Sequence, residues 1–347
     1  MTKKTILALV KTVLPLLLGV YLIWLFFTGM TEEAKLLFYK ALKEANYFWI
    51  VVSMSLGFIA FLARAFRWKY VLEPLGFETK FWNRYHAVMI GYIMNLTIPR
   101  AGEASRSAML YRSDGVPFSS SFGTIIAERA VDLAVLVSIA FLTAFLGYSD
   151  FLEIKTQIEL KFGQNESISV NSFPWKIIIY CFILLIGIVF SYFYIFKRKF
   201  RLKFINFSKD VLAGLLSIFK LKQPFSYIFF TFVIWGCYIT MFALPFLSLE
   251  ETSSISFSGI LLAFIAGSLG IMFTNGGIGT FPLLVGLVVT FYIGKDYSSE
   301  TEAQAIGNAL GMLLWVSQTL IMIILGLISL ILLPKNFSKE DEPIKLP

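Results

Sequence analysis

Long apolar runs leave this chain little choice of environment. Residues 12–27, 47–66, 121–146, 175–196, 227–247 and 308–333 are nearly free of charge. Several of these stretches exceed the roughly 18 apolar residues that a helix needs to cross a bilayer. Backbone polar groups in hydrocarbon must be satisfied within the spanning structure, which selects helices for single runs of this kind. The sequence thus predicts an all-α polytopic membrane protein, one transmembrane domain over 1–347. About six full crossings lie in a membrane-embedded region at 10–335, and 336–347 form a short cytoplasmic tail. The lysines before the first run resemble a signal peptide. However, Lys11 interrupts the apolar stretch that starts at Ile6, and no small-x-small cleavage site follows Phe27, so an uncleaved signal-anchor helix is expected.

Lysine and arginine set the orientation. Lys3, Lys4 and Lys11 precede the first run, while Arg64, Arg67, Lys69, Lys80 and Arg84 lie at or after the end of the second. The stretch 197–222 carries eight basic residues against one acid, Asp210, whereas 148–174 has only Lys155 and Lys161. The positive-inside rule then places both termini in the cytoplasm. Within a basic connector at 197–223, Ile205, Val211, Leu212, Leu215, Leu216 and Phe219 recur at near-helical spacing. Two readings stay open for it: a helix lying on an anionic leaflet, or an ordinary connector. The net charge of +8 is a topology signal, since no nucleic-acid recognition motif accompanies it. His86 is the only histidine, and Cys181 and Cys237 both sit in apolar runs. Hence no metal site, cofactor or disulfide framework is expected, and no phosphate-binding glycine-lysine loop occurs.

Two further apolar segments are broken. At 1.5 Å per residue, 86–98 makes roughly 20 Å of helix, past the middle of a hydrocarbon core of about 30 Å but short of its far side. There the chain reads T-I-P-R-A-G-E-A-S-R-S over 97–107. Pro99 ends the helix, Gly102 lets the chain reverse, and a second helix starts near Glu103, whose carboxylate complements the positive helix end. Freed backbone at that depth requires surrounding protein or a water-filled cavity. A helix start flanked by Arg100 and Arg106 is an anion site, and the obvious anion in a bilayer is a lipid phosphate. Glu103 and Arg106, three apart, share a helix face.

The second broken segment, 257–273 and 281–293, is split by T-N-G-G-I-G-T. Thr280 is the expected N-cap and Pro282 falls in the first turn. The charge pattern brings the two hairpins in from opposite sides. The result is an inverted-repeat-like arrangement of about eight hydrophobic segments, with two re-entrant hairpins and a midplane site. Asn275, Gly276, Gly277 and Gly279 form the opposing tip, where glycine permits close backbone approach.

A third group lies early in the run at 121–146. Glu128 and Asp132, four apart, share a face, and Arg129 projects about 100° away. Ionisable groups inside a span are costly unless paired and are functional candidates. Three readings remain: the carboxylates line a substrate path, they neutralise Arg100 or Arg106 and hold the first hairpin against this run, or they sit in water at the membrane interface. Trp68, Tyr70, Trp82, Tyr85 and Trp175 read as an interfacial aromatic belt.

Pro99-Arg100-Ala101-Gly102-Glu103 with Arg106, then Glu128-Arg129 with Asp132, resemble the transmembrane family named for lysylphosphatidylglycerol synthase, also called the flippase-like domain family. Gly276-Gly277-Ile278-Gly279 resembles that family's late glycine motif, and the likeness extends over about 10–335. The resemblance implies a multi-pass protein of the bacterial cytoplasmic (inner) membrane concerned with lipid transport. It would move a phospholipid or polyprenyl-linked lipid between leaflets, with Arg100, Gly102, Glu103, Arg106, Glu128, Arg129 and Asp132 at the headgroup and the Asn275–Gly279 tip opposite. Many relatives carry a glutamate after the glycine motif, where this chain has Phe281 and Pro282. The soluble aminoacyl-transfer domain of the full-length synthases is missing after 335, so that chemistry is not expected. Alternatives are an intramembrane enzyme on lipid or polyprenyl phosphates, with Ser105 or Ser107 as nearby hydroxyls, and a scaffold for a separately encoded lipid-modifying enzyme.

Overall fold

The computed structural model describes residues 32–98, 101–148, 198–294 and 299–333, together with Tyr21, Trp24, Thr28 and Tyr297. The runs predicted at 12–27 (apart from Tyr21 and Trp24) and 175–196, the tail at 336–347, and Pro99 and Arg100 lie outside the described residues. All longer regular elements among the described residues are helices. They are α1 (Glu32–Glu44), α2 (Tyr47–Leu72), α3 (Phe81–Thr97), α4 (Gly102–Asp114), α5 (Phe118–Leu146), α6 (Arg198–Leu216), α7 (Pro224–Ala243), α8 (Phe257–Phe273), α9 (Thr280–Ile293) and α10 (Glu300–Leu332). Four of them (α2, α5, α7 and α10) are long and apolar enough to cross a membrane, and α8 and α9 are shorter apolar helices. The chain is thus a multi-pass helical membrane protein.

Three boundaries differ from the sequence expectation, each for a physical reason. Helix α2 continues past Phe66 to Leu72, because Arg64 and Arg67 find buried partners and need not mark a membrane edge. Helix α3 begins at Phe81, so it is about 25 Å long and its first turns include the buried Asn83, Arg84 and Tyr85. Helix α10 begins at Glu300, where Ser299 caps it by accepting from the Thr301 amide. The aromatic belt also needs correction. Trp82 is exposed, but Trp68 and Tyr85 are buried in the protein.

The two broken segments are helical hairpins. In the first, the Lys80 amide at the start of α3 donates to Asp114 at the end of α4, 3.1 Å away, so the hairpin's two ends lie side by side. Near its turn the helices touch through Gly91 and Gly102. A Cβ on Gly102 would overlap the Gly91 carbonyl oxygen and the Asn95 amide. Gly102→Ala is therefore expected to cost about 1–3 kcal/mol, the range for forcing extra volume into packed space; a thermal melt of the purified variant checks it. In the second hairpin, Gly259 near the start of α8 packs on Tyr292 near the end of α9, while Gly270 meets Phe281 close to the turn.

Helix α10 relates the hairpins to each other. Gly307 packs against Gly286 and Thr290, Gly311 against Pro282, and Trp315 Nε1 donates to the Gly276 carbonyl at 2.8 Å. Farther along, Gly326 packs against Ile93, and Ser329 meets His86 Nδ1 at 3.0 Å. The hairpins therefore lie end to end along one helix, turn toward turn, and Leu96 of the first packs on Gly276 of the second. From Gly307 to Ser329 is about 33 Å of helix, close to one hydrocarbon thickness.

Helix α6, the middle of the basic connector, is docked on α5. Gly214 lies against the Ser120 carbonyl and Gly123, and Ser119 Oγ donates to Asp210, the connector's one acid, at 2.8 Å. Phe207 and Leu212 of the same helix remain exposed.

Candidate functional site

Three helices bring seven charged side chains together. On α2, Arg64, Arg67 and Trp68 fall three and four residues apart and share a face. On α5, Glu128 and Asp132 do the same toward α2, leaving Arg129 on the neighbouring face. Helix α4 supplies Glu103 and Arg106. Arg64 Nη2 donates to Asp132 Oδ2 at 3.0 Å. Arg67 is bracketed by both carboxylates, with Nη1 2.8 Å from Asp132 Oδ1 and Nε 3.4 Å from Glu128 Oε1. Arg106 Nη2 lies 2.8 Å from Glu128 Oε2 but is misaligned for a hydrogen bond. Arg129 Nη2 pairs with Glu103 Oε1 at 2.8 Å.

Burial divides these pairs into two kinds. Arg64, Arg67, Arg106, Glu128 and Asp132 are all buried, whereas the Arg129 and Glu103 side chains are 46% and 26% exposed. In the buried group three arginines face two carboxylates, an excess of one positive charge. Burying an unbalanced charge costs several kcal/mol. Aromatic rings offset part of that. The Arg106 guanidinium lies 3.7 Å from the centre of the Trp68 ring, and Arg67 faces Tyr227 at 5.4 Å. Trp68 is itself held by its Nε1, which donates to Thr124 Oγ1 of α5 at 3.0 Å. Even so, Arg64 Nε, Arg67 Nη2 and both Nε and Nη2 of Arg106 are buried without a hydrogen-bond partner among the described residues.

Beside this group lies a small, open cleft. Its lining includes Arg64, Arg106 and Arg129, with Glu103 as the one carboxylate. Tyr92, Asn95 and Gly102 complete its polar wall. Asn95 Oδ1 accepts from the Gly102 amide at 2.7 Å, so a side chain of α3 caps the start of α4. The cleft thus presents cationic and polar groups in a wall that is otherwise Val88, Gly91 and Ile125.

Of the sequence-predicted residues, Gly102, Glu103, Arg106, Glu128, Arg129 and Asp132 come together here. Arg100 falls outside the described residues. Asn275, Gly276, Gly277 and Gly279 lie at the second turn, which touches the first hairpin through Leu96. Gly276, Gly277 and Gly279 all have positive φ, a conformation that side-chain-bearing residues rarely adopt. Thr280 is not the N-cap of α9; Gly279 is, and the Thr280 hydroxyl donates instead to the Gly270 carbonyl at 2.7 Å across the hairpin. Asp132 does not reach Arg106 but pairs with Arg64 and Arg67. Those two arginines and Trp68 are the residues that sequence reasoning missed. Their three-to-four spacing, with Tyr70, Val71 and Leu72 continuing the apolar run, is the signal that could have found them.

Fold and site together define a multi-pass helical membrane protein with a charged, arginine-rich cleft at the turn of a helical hairpin. The chain belongs to the lysylphosphatidylglycerol synthase TM region family, whose model matches residues 12–299. A UPF0104 membrane protein of Methanocaldococcus jannaschii is 28% identical over 113 residues, 31% of this chain and 33% of that protein. The chain thus matches about a third of that relative's length. No solved structure matches it.

Proposed function

We propose that this protein moves an anionic lipid, or the headgroup of a lipid-linked molecule, between the leaflets of the membrane. The observation that carries the reading is the excess buried positive charge, with Nε groups on Arg64 and Arg106 that have no hydrogen-bond partner among the described residues, beside a cleft that both residues line. A phosphate would supply the missing negative charge and accept those hydrogen bonds, and charge-assisted bonds of this kind are roughly twice as strong as neutral ones. The end-to-end hairpins along α10 fit two re-entrant elements that enter from opposite faces and meet near the midplane. The Asn275–Gly279 turn would then be the gate on the far side. The lysine and arginine distribution supports cytoplasmic termini, and the family resemblance favours a bacterial inner membrane. Neither Ser105 nor Ser107 lines the cleft, so the geometry favours transfer of an intact lipid over chemistry on it.

The test is leaflet transfer in proteoliposomes. The purified protein should accelerate movement of a fluorescent phosphatidylglycerol above the protein-free rate, and the lipid should be recovered chemically unaltered. An altered lipid would favour the intramembrane enzyme. The absence of both effects would leave the scaffold reading.

A further inference from the structure

We propose that Glu103 is a built-in surrogate for the headgroup anion: it holds Arg129 until a phosphate takes its place, and is displaced as the lipid enters. The inference rests on the lipid-binding reading above and adds how the site is kept balanced and how it opens. Three observations carry it. Glu103 is the one carboxylate in a cleft otherwise lined by Arg64, Arg106 and Arg129. Its only ion pair among the described residues is with Arg129, and both side chains are partly exposed, so that pair can exchange partners cheaply. By contrast, Glu128 and Asp132 are each buried between two arginines, and removing either partner there is expensive. The protein thus carries two carboxylates fixed in the structure and one placed to move.

A phosphate entering the cleft would reach Arg64 and Arg106 and compete with Glu103 for Arg129. Released, the Glu103 carboxylate would turn toward solvent, and Arg129 would pass from that carboxylate to the phosphate. Every arginine would keep a partner throughout.

Binding measurements on the full-length chain in maltoside micelles test this. The probes are dioctanoyl-phosphatidylglycerol, inorganic phosphate and neutral dioctanoylglycerol. Affinity is read from tryptophan fluorescence, because Trp68 lies against Arg106. Glu103→Gln should bind the anionic lipid about two- to fivefold tighter, the range for losing a competitor of surface-pair strength. That gain should vanish in an Arg129→Gln background, the coupling that a double-mutant cycle isolates. Glu103→Ala provides a second variant should the first fold poorly. A gain that survives in the Arg129→Gln background overturns the proposal, because it would reflect general charge removal. So would unchanged binding by both Glu103 variants, which would make this carboxylate a bystander, or weaker binding, which would make it a direct contact to the ligand. If Arg106→Lys still weakens binding in that case, the lipid-binding reading stands while the surrogate role falls. A wild-type protein that gives no saturable response to either anionic probe removes both. A Glu103→Gln gain seen with inorganic phosphate alone supports the surrogate role but contradicts a lipid headgroup as the ligand.

Discussion

Arg67→Ala is expected to destabilise the protein by about 3–5 kcal/mol, more than any other single change in the charged group. Arg67 is fully buried and touches both Glu128 and Asp132, so its loss leaves two carboxylates without their shared cation. The cost comes from those stranded charges, not from the favourable worth of the pair itself. Buried ion pairs often only balance their own desolvation. Two comparisons identify the cause. Arg129→Ala, at the partly exposed pair, should change stability by less than about 1 kcal/mol. Replacing Glu128 by Gln together with Arg67 should recover part of the loss, because one stranded charge is then gone. Thermal unfolding of the purified variants in one detergent provides all three values. If Arg67→Ala melted like Arg129→Ala, the two-carboxylate bracket would not be holding α2 to α5.

The second large effect is on transport. Arg106→Lys keeps the charge, yet leaflet transfer of phosphatidylglycerol is expected to fall about 10–100-fold, the size of losing one or two charge-assisted hydrogen bonds. An ammonium cannot lie flat on Trp68 as the guanidinium does, nor offer a planar fork to a phosphate while a further nitrogen faces Glu128. Stability should drop far less than in Arg67→Ala, since a cation still faces Glu128. A lysine variant that transported at the wild-type rate would reduce Arg106 to a counter-ion.

How much of this was legible in the sequence depends on which physical signal each feature leaves. The hairpins were visible because a turn inside an apolar run needs residues that break helices, and Gly102 and Asn275–Gly279 sit where the chain reverses. Hydropathy placed α8 at 257–273, as observed, because apolar length alone decides that element. Arg64 and Arg67 were misjudged for the same reason. A charge ending an apolar run looks alike whether it meets water or a carboxylate on another helix. Trp68 and Tyr85 failed similarly, since an amphipathic ring suits a membrane interface and a protein interior equally well. The pairing of Glu128 with Arg106 is within reach of the sequence, because each is an ionisable residue in or beside an apolar run and calls for a partner. That Asp132 turns instead to Arg64 and Arg67 depends on how α5 is rotated against α2, and one-dimensional spacing carries no such information.

The most direct test of the central idea is a cryo-electron microscopy map of the full-length protein in nanodiscs containing phosphatidylglycerol. The account predicts headgroup density in the cleft, with phosphate oxygens within hydrogen-bonding distance of Arg64 and Arg106, and the two hairpin turns level with the middle of the bilayer. A map with phosphate density only at the membrane surfaces, and with the turn after α3 lying outside the hydrocarbon, would contradict it.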